Sequence, residues 1–388
     1  MTHIHFSLET KEIQNLIDRS VQDDISKSIL QTVFNQLMEN QRTEYIQATD
    51  YERSSERISQ RNGYYKRTWT TRVGSLELNV PRTRDGKFSP TLFERYQRNE
   101  QALLVSMLEM YVSGVSTRKV TQVVEELCGK SVSKSFVSDL TAQLDPMVKE
   151  WQQRSLSDTS YPYIMTDVLY IKVREDHRVV SKSCHIAIGI NEQGNREIIG
   201  LMIQNGESES SWSIFFEHLK ERGLHGTELV ISDAHPGLVS AIQKSFVGTS
   251  WQRCQVHFIR NIIEKVPRKD SKAFRESLKS IFRYTDIERA RVAKSALIDE
   301  YSDKKRYEKA CEILDEGFED AFQYTIAGKG HPRLRSTNVL ERLNQEVRRR
   351  EKVVRIFPNT ESANRLIGAV LIDIHEEWIS SPRKYIQL

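Results

Sequence analysis

The chain has 388 residues, 38% hydrophobic and 28% charged, with a formal net charge of +4; this is an ordinary soluble composition with room for two or three domains. No apolar run approaches the roughly 18 residues that span a bilayer, and the start, MTHIHFSLETKEIQ, lacks the basic-then-apolar layout of a signal peptide. Four scattered cysteines (Cys128, Cys184, Cys254 and Cys311) without a CxxC pair argue against a disulfide framework or a four-cysteine zinc site, so a cytoplasmic protein with no membrane partner is expected.

Residues 8 to about 60 carry apolar side chains at helical spacing (Ile13, Leu16, Ile17, Val21, Ile25, Ile29, Leu30, Val33, Leu37) and are predicted as an N-terminal helical region over 1–60. A basic hairpin and linker is predicted over 61–98, where Leu76, Leu78 and Val80 alternate beyond a turn at Gly74. Over 99–150 three short helices are expected. The first ends at Gly114, the second runs from a Ser116 cap to Gly129, and the third is capped by Ser133. Their punctuation resembles a helix-turn-helix, although an ordinary helical bundle accounts for it equally well. From 158 to 257 the texture changes to three successive β-type runs, YIMTDVLYIKV, SCHIAIGIN and EIIGLMIQN, then helix and strand in alternation, which describes a mixed α/β sheet. Residues 258–334 are charged and read as entirely helical, and 335–388 return the chain to the α/β body.

Charge is concentrated locally. Arg61 to Arg98 holds nine Lys/Arg against three Asp/Glu, and Arg342 to Arg355 six against two. Such clusters are the footprint of a phosphate-backbone partner, and equally the look of a solvated face.

Three acids stand out. Asp167 shares a strand face with Met165, Leu169 and Ile171, where an ionised carboxylate is costly unless paired or bound to a cation. Asp233 closes the short apolar run LVISD, at the kind of strand end beyond which open α/β sheets bind ligands. Glu341 lies in the first turn of the helix STNVLERLNQEVRRR, with Asn344, Gln345, Arg348 and Lys352 on its side. Each has a plainer account: a distant salt bridge for Asp167, a turn or cap for Asp233, a capping box with Asn338 for Glu341. Cys254 and His257, in WQRCQVHFIRN, have C-x2-H spacing. A structural zinc takes about four ligands and no second pair is near, so a structural role under the acidic site is the better expectation.

Taken together, TDVLYIKV with Asp167, VISDAHPGL with Asp233, WQRCQVHFIRN with Cys254 and His257, and STNVLERLNQEVRRR with Glu341 resemble the Mutator-type transposases of bacterial insertion sequences, over essentially the whole length. The resemblance implies an RNase H-like mixed-sheet catalytic core holding an Asp-Asp-Glu trio. An all-helical insertion would separate the second Asp from the Glu, in keeping with the 108 positions from Asp233 to Glu341. It implies helical DNA-binding domains ahead of that core, a helix-turn-helix among them, and a nucleoid-associated protein. Asp167, Asp233 and Glu341 would be both catalytic residues and ligands of two Mg²⁺ ions, for which Mn²⁺ can substitute, cutting and joining DNA without a covalent intermediate. The partners would be double-stranded DNA, as element terminal inverted repeats and target, and at least a second copy of the chain. DNA contacts would come from Arg67, Arg72, Arg82, Arg84, Arg118, Lys119, Lys130, Lys134, Ser135 and Ser138, and near the acids from Arg348, Arg349 and Lys352. The competing account is a sequence-specific DNA-binding regulator with an inactive α/β domain; another RNase H-like nuclease is a third.

Overall fold

The computed structural model describes residues 25–52, 55–71, 74–93, 101–128, 132–267, 269 and 271–387. Arg72, Lys130, Gly129 and the start of the expected N-terminal helix, residues 8–24, lie outside them. The chain divides into two compact units between Thr141 and Ala142.

In the first unit, helix α1 (Ile25–Ile46) is followed by the antiparallel pair β1 (Arg61–Thr71) and β2 (Gly74–Thr83). Alternation along β2 sends Leu76, Leu78 and Val80 to one face, where they are buried with Trp69, Phe93 and Met38 of α1. Helices α2 (Gln101–Val112), α3 (Thr117–Cys128) and α4 (Lys134–Ala142) form a second small core from Leu103, Met107, Val120, Val124, Val137 and Leu140. Ser116 Oγ accepts the Lys119 amide at 3.3 Å and Ser133 Oγ accepts the Phe136 amide at 3.0 Å. Both serines therefore satisfy orphan donors at the starts of α3 and α4.

The second unit opens with α5 (Asp145–Gln153). Its Asp145 takes two 2.7 Å bonds from Arg365 of the long helix α13 (Thr360–Ser380), and α13 also packs on the sheet. The sheet is mixed and five-stranded, ordered β5-β4-β3-β6-β7, from β3 (Tyr163–Glu175), β4 (Arg178–Ile190), β5 (Arg196–Gln204), β6 (Leu229–Ser232) and β7 (Ser250–Arg253). β3, β4 and β5 are antiparallel neighbours, while β6 runs parallel to β3 and β7 to β6. Glu175 pairs with Arg178 across a two-residue turn, and both turn residues, Asp176 and His177, have positive φ (47° and 62°). That is the twist-matched hairpin geometry, made here without glycine.

Alternate residues of the strands bury opposite faces. Ile164, Ala187, Ile199 and Val230 meet Trp212, Phe215, Phe216 and Leu219 of α6 (Glu209–Glu221) and Leu238, Ala241 and Ile242 of α7 (Pro236–Ser245). Between α7 and the last helices, α8 (Gln255–Glu264), α9 (Lys272–Ile281), α10 (Ile287–Tyr301) and α11 (Glu308–Gly317) lead to short 3-10 turns at Glu319–Thr325 and Pro332–Arg335. These helices close on an aromatic core that includes Phe274, Phe282, Tyr307, Phe318 and Phe322. Gln252 and Gln255 anchor them to the sheet edge, each donating to Ala321 O at 2.8 Å. Helix α12 (Asn338–Val354) then packs on β3, the middle strand of the sheet, and Phe357 forms a parallel bridge with Val173 at the far end of β3.

Candidate active site

Register alone brings the two aspartates together. β3 and β6 pair through Tyr163–Leu229, Ile164–Val230 and Met165–Ile231. Carried on by two residues, that register sets Asp233 at the level of Asp167. Asp167 Oδ1 accepts the Val168 amide at 2.9 Å, and Oδ2 accepts Nδ2 of Asn344, from α12, at 2.9 Å. Burial pushes the Asp167 carboxyl up to about 6; the charges of Asp233 and Glu207 add to this, and the Val168 amide and His257 oppose it. Asp233 Oδ1 accepts the His235 amide at 3.3 Å, at the entry to α7.

Glu341 comes from the first turn of α12. Its cap residue is Thr337, without a side-chain cap bond, so the capping-box account with Asn338 does not describe this helix. The Glu341 carboxylate faces away from the backbone, with Oε1 at 3.1 Å from His257 Nε2 and 3.9 Å from Arg260. Asn344, three residues along, shares that helix face, so the helix that holds Asp167 is the one that presents Glu341. His257 lies between the groups. The Cys254 thiol, ahead of Asp167 and Glu341, holds its imidazole up at about 9 against the pull of burial.

Cys254 ties two elements together. Its amide donates to Ser232 O at 2.7 Å, next to Asp233, and its Sγ accepts the Thr337 amide at 3.4 Å and hydroxyl at 3.3 Å. Burial raises the thiol, but the bonds from His257 and Thr337 outweigh it and leave it below its usual value. The start of α12 is thereby fastened to the β7–α8 junction. Trp251 helps nearby, donating its indole N–H to Ser232 Oγ at 2.9 Å.

Asp167 and Asp233 are thus neighbours, and Glu341 is joined to them through His257 and Asn344. Among the described residues, no group of three or more His, Cys, Asp or Glu is drawn tightly enough to hold a metal ion. The donor chemistry nonetheless suits a hard divalent cation, being carboxylate oxygen throughout. Asn344 Oδ1 is buried beside Asp167 without a hydrogen-bond partner.

The sequence does not point to Glu207. It sits in the polar run NGESESS, which reads as a loop. In the fold its side chain is 8% exposed, accepts from Tyr170 Oη at 2.9 Å and Trp212 Nε1 at 3.2 Å, and lies 3.5 Å from His235 Nδ1. No periodicity marks it, because its partners come from three different elements.

Residues 1–381 match the sequence model of the family described as Transposase, Mutator family. The chain is 72% identical over 386 residues to the transposase for insertion sequence element IS256 in transposon Tn4001 of Staphylococcus aureus, covering 100% of this chain and 99% of that one. The chain belongs to the Mutator family of transposases. A more distant member, the transposase for insertion sequence element ISRM5 of Rhizobium meliloti, is 42% identical over 93% of this chain and 90% of its own. Among solved structures, the Drosophila P element transposase strand transfer complex overlaps 76% of this chain and 83% of its own at 10% identity with a TM-score of 0.31, a likeness too slight to carry an argument.

The cationic candidates of this Mutator-family chain are placed unevenly. Arg67 lies over the Phe93 ring at 4.1 Å, Arg82 over Tyr65 at 4.6 Å, and Arg84 donates to Gln60 at 3.0 Å. Arg118, Lys119, Lys134, Ser135 and Ser138 are exposed on α3 and α4, with Ser135 Oγ 2.8 Å from Ser133 Oγ. On α12, Arg348 is paired with Glu351 at 2.8 Å and Arg349 with Glu346 at 3.2 Å, whereas Lys352 is exposed. Among the described residues no helix is long and apolar enough to cross a membrane.

Proposed function

We propose that the chain cuts and rejoins DNA at the ends of an insertion sequence, with Asp167, Asp233 and Glu341 as catalytic carboxylates and ligands of two Mg²⁺ ions, Mn²⁺ substituting. The observation that carries the reading is the junction of sheet and helix: the strand register that sets Asp233 beside Asp167, and the α12 face that reaches Asp167 through Asn344 and presents Glu341. Its relatives, transposases of insertion sequence elements by name, support DNA as the substrate. An RNase H-like core is supported by the mixed sheet and by the helical stretch that runs from the end of β7 to Glu341.

When bound, such cations supply Lewis acidity at phosphorus and a water acidic enough to attack it near neutral pH. The chain's own part is to hold the carboxylates. Asp167, kept from ionising easily by burial, gives up its proton readily once positive charge is close. Without a cation, the His257 imidazolium supplies that charge, and Glu341 bonds to it; Asp167, Asp233 and Glu341 would be the residues to hold the cations. Cys254, through Thr337, holds the first turn of α12 in place beside them. DNA capture falls to the first unit, where α3 and α4 serve as a helix-turn-helix and the β1–β2 hairpin follows the backbone. Both element ends must be brought together, so the working form is a dimer or larger.

The test is incubation of the purified chain with a labelled element end and Mg²⁺, scoring nicked and joined DNA. Wild type yields both products. Asp167→Ala, Asp233→Ala and Glu341→Ala each lose both by more than about a thousandfold, beyond the 10–100-fold typical of residues that only support a ligand, with DNA binding retained. Cleavage retained in any one of the three, or binding without magnesium-dependent nicking by the wild type, rejects the reading in favour of a DNA-binding regulator.

A further inference from the structure

A second cationic feature lies outside the acidic site. A cleft of about 640 Å³ is bounded by the turn before β5, the Pro332–Arg335 turn, the first turn of α12 and the segment following α13. Six of its fourteen lining residues are basic (Arg196, Arg333, Arg335, Arg342, Arg383 and Lys384) and none is acidic. Among the described residues none of the six makes an ion pair, in contrast to Arg348, Arg349 and Arg350 on the same helix α12, which all bond to Glu346 or Glu351. Arg196 is half-buried; burial first, then the charges of Arg333 and Arg342, lower its pKa, against the opposing pull of Tyr385 and Glu377. Like charges crowded around a partly desolvated guanidinium are unfavourable until an anion joins them.

The cleft is also built. Arg196 is clasped between aromatic rings, 4.0 Å from the Trp378 centroid and 5.2 Å from that of Tyr385. The C-terminal wall is held by the Tyr385 and Ile386 amides, which donate to Gly194 O at 2.8 and 3.0 Å, and by Arg333 donating to Tyr385 O. Gly194 has φ +84°, and a Cβ there would run into the Ile386 carbonyl, so glycine is required for this close approach. The first turn of α12 adds the positive end of its dipole.

We propose that this cleft binds the sugar–phosphate backbone of DNA beside the scissile position. Its wall includes Arg342, the residue after Glu341, so the cleft and the acidic site share the start of α12. The inference rests on the nuclease and strand-transfer reading for what the DNA is, but not for whether phosphates bind. The strand held is the element end or the target, and the two are separated by experiment.

Arg342, Arg383 and Lys384 are exposed, so the triple variant Arg342→Gln/Arg383→Gln/Lys384→Gln is expected to fold. Its binding to a labelled duplex of arbitrary sequence is measured by anisotropy across a KCl series, against a charge-matched control, Lys279→Gln/Lys304→Gln/Lys309→Gln. Each lost phosphate contact removes about 0.9 from the slope of log affinity against log salt, so the cleft variant loses about 2 to 3 and the control does not. With an element end and Mg²⁺, loss of both nicking and joining assigns the cleft to the element end; loss of joining alone assigns it to the target. A slope and affinity equal to the control's overturn the proposal, whatever the acidic site does. An unchanged Asp233→Ala protein would overturn the catalytic reading and leave the cleft standing.

Discussion

The two halves of the acidic site are held by different physics. Asp167 rides on β3 and Asp233 directly follows the paired strand β6, so backbone hydrogen bonds govern their separation. Glu341 rides on a helix whose start is fastened through side chains: Asn344 to Asp167, His257 to Glu341 and Thr337 to Cys254. Backbone register cannot slip without turning every side chain to the other face, whereas a side-chain tie exchanges partners within one rotamer change. On the proposed function, the rigid half would define where a scissile phosphate is gripped, and the adjustable half would let the site close on it.

The comparison is sharpened most by the tie between the halves. Asn344→Ala removes the donor to Asp167 and releases α12 from the strand. Cleavage should fall about 10–100-fold, the usual cost of a ligand's supporting partner, with DNA affinity unchanged. A rate equal to wild type would show that α12 needs no such tether.

The electrostatics separate the halves by sign. Asp167, at about 6 in the fold against an ordinary value of 3.8, is raised. Its contribution to stability is therefore present below pH 3.8 and lost as pH rises through 6. Asp167→Asn should accordingly stabilise the metal-free protein at pH 8 by on the order of 2 kcal/mol and leave it unchanged near pH 3.5, as thermal melts will register. His257 is raised too, from 6.5 to about 9, but as a cation. Its stabilisation is full below pH 6.5 and fades as pH rises through 9. His257→Gln should therefore cost on the order of 2 kcal/mol at pH 6 and converge with wild type above pH 9.5. Variants that shift stability equally at every pH would mean that burial and the Cys254 bond do not move these two titrations.

The smallest effect tests the rigid half away from the chemistry. His177 holds a left-handed conformation (φ 62°) in the β3–β4 turn. His177→Gly relieves that cost and should add about 0.5–1 kcal/mol by denaturant unfolding with activity unchanged. A loss of stability would show that the turn histidine makes contacts worth more than its strain.

Much of this was readable along the chain, because strands and helices announce themselves by period. The three β-type runs, the helix SWSIFFEHLKERG and the helical stretch after Phe258 need only local pattern to be seen. The serine caps at 116 and 133 are equally local. Asp167 and Asp233 could be singled out because an acid in or at the end of an apolar strand is conspicuous. What pattern could not supply is partnership. Arg348 and Arg349 read as free cations in a basic run, yet helical geometry puts Glu351 and Glu346 within reach to neutralise them. Glu207 reads as loop, and the six cations of the cleft are spread from position 196 to 384 without any run that marks them. The small basic turns meet α12 and the C-terminal segment only through the tertiary fold. Sequence by itself determined the elements and the acids, since burial and periodicity are short-range properties. Only the tertiary structure decided which charges are satisfied and which are left open, since that depends on groups brought together from distant parts of the chain.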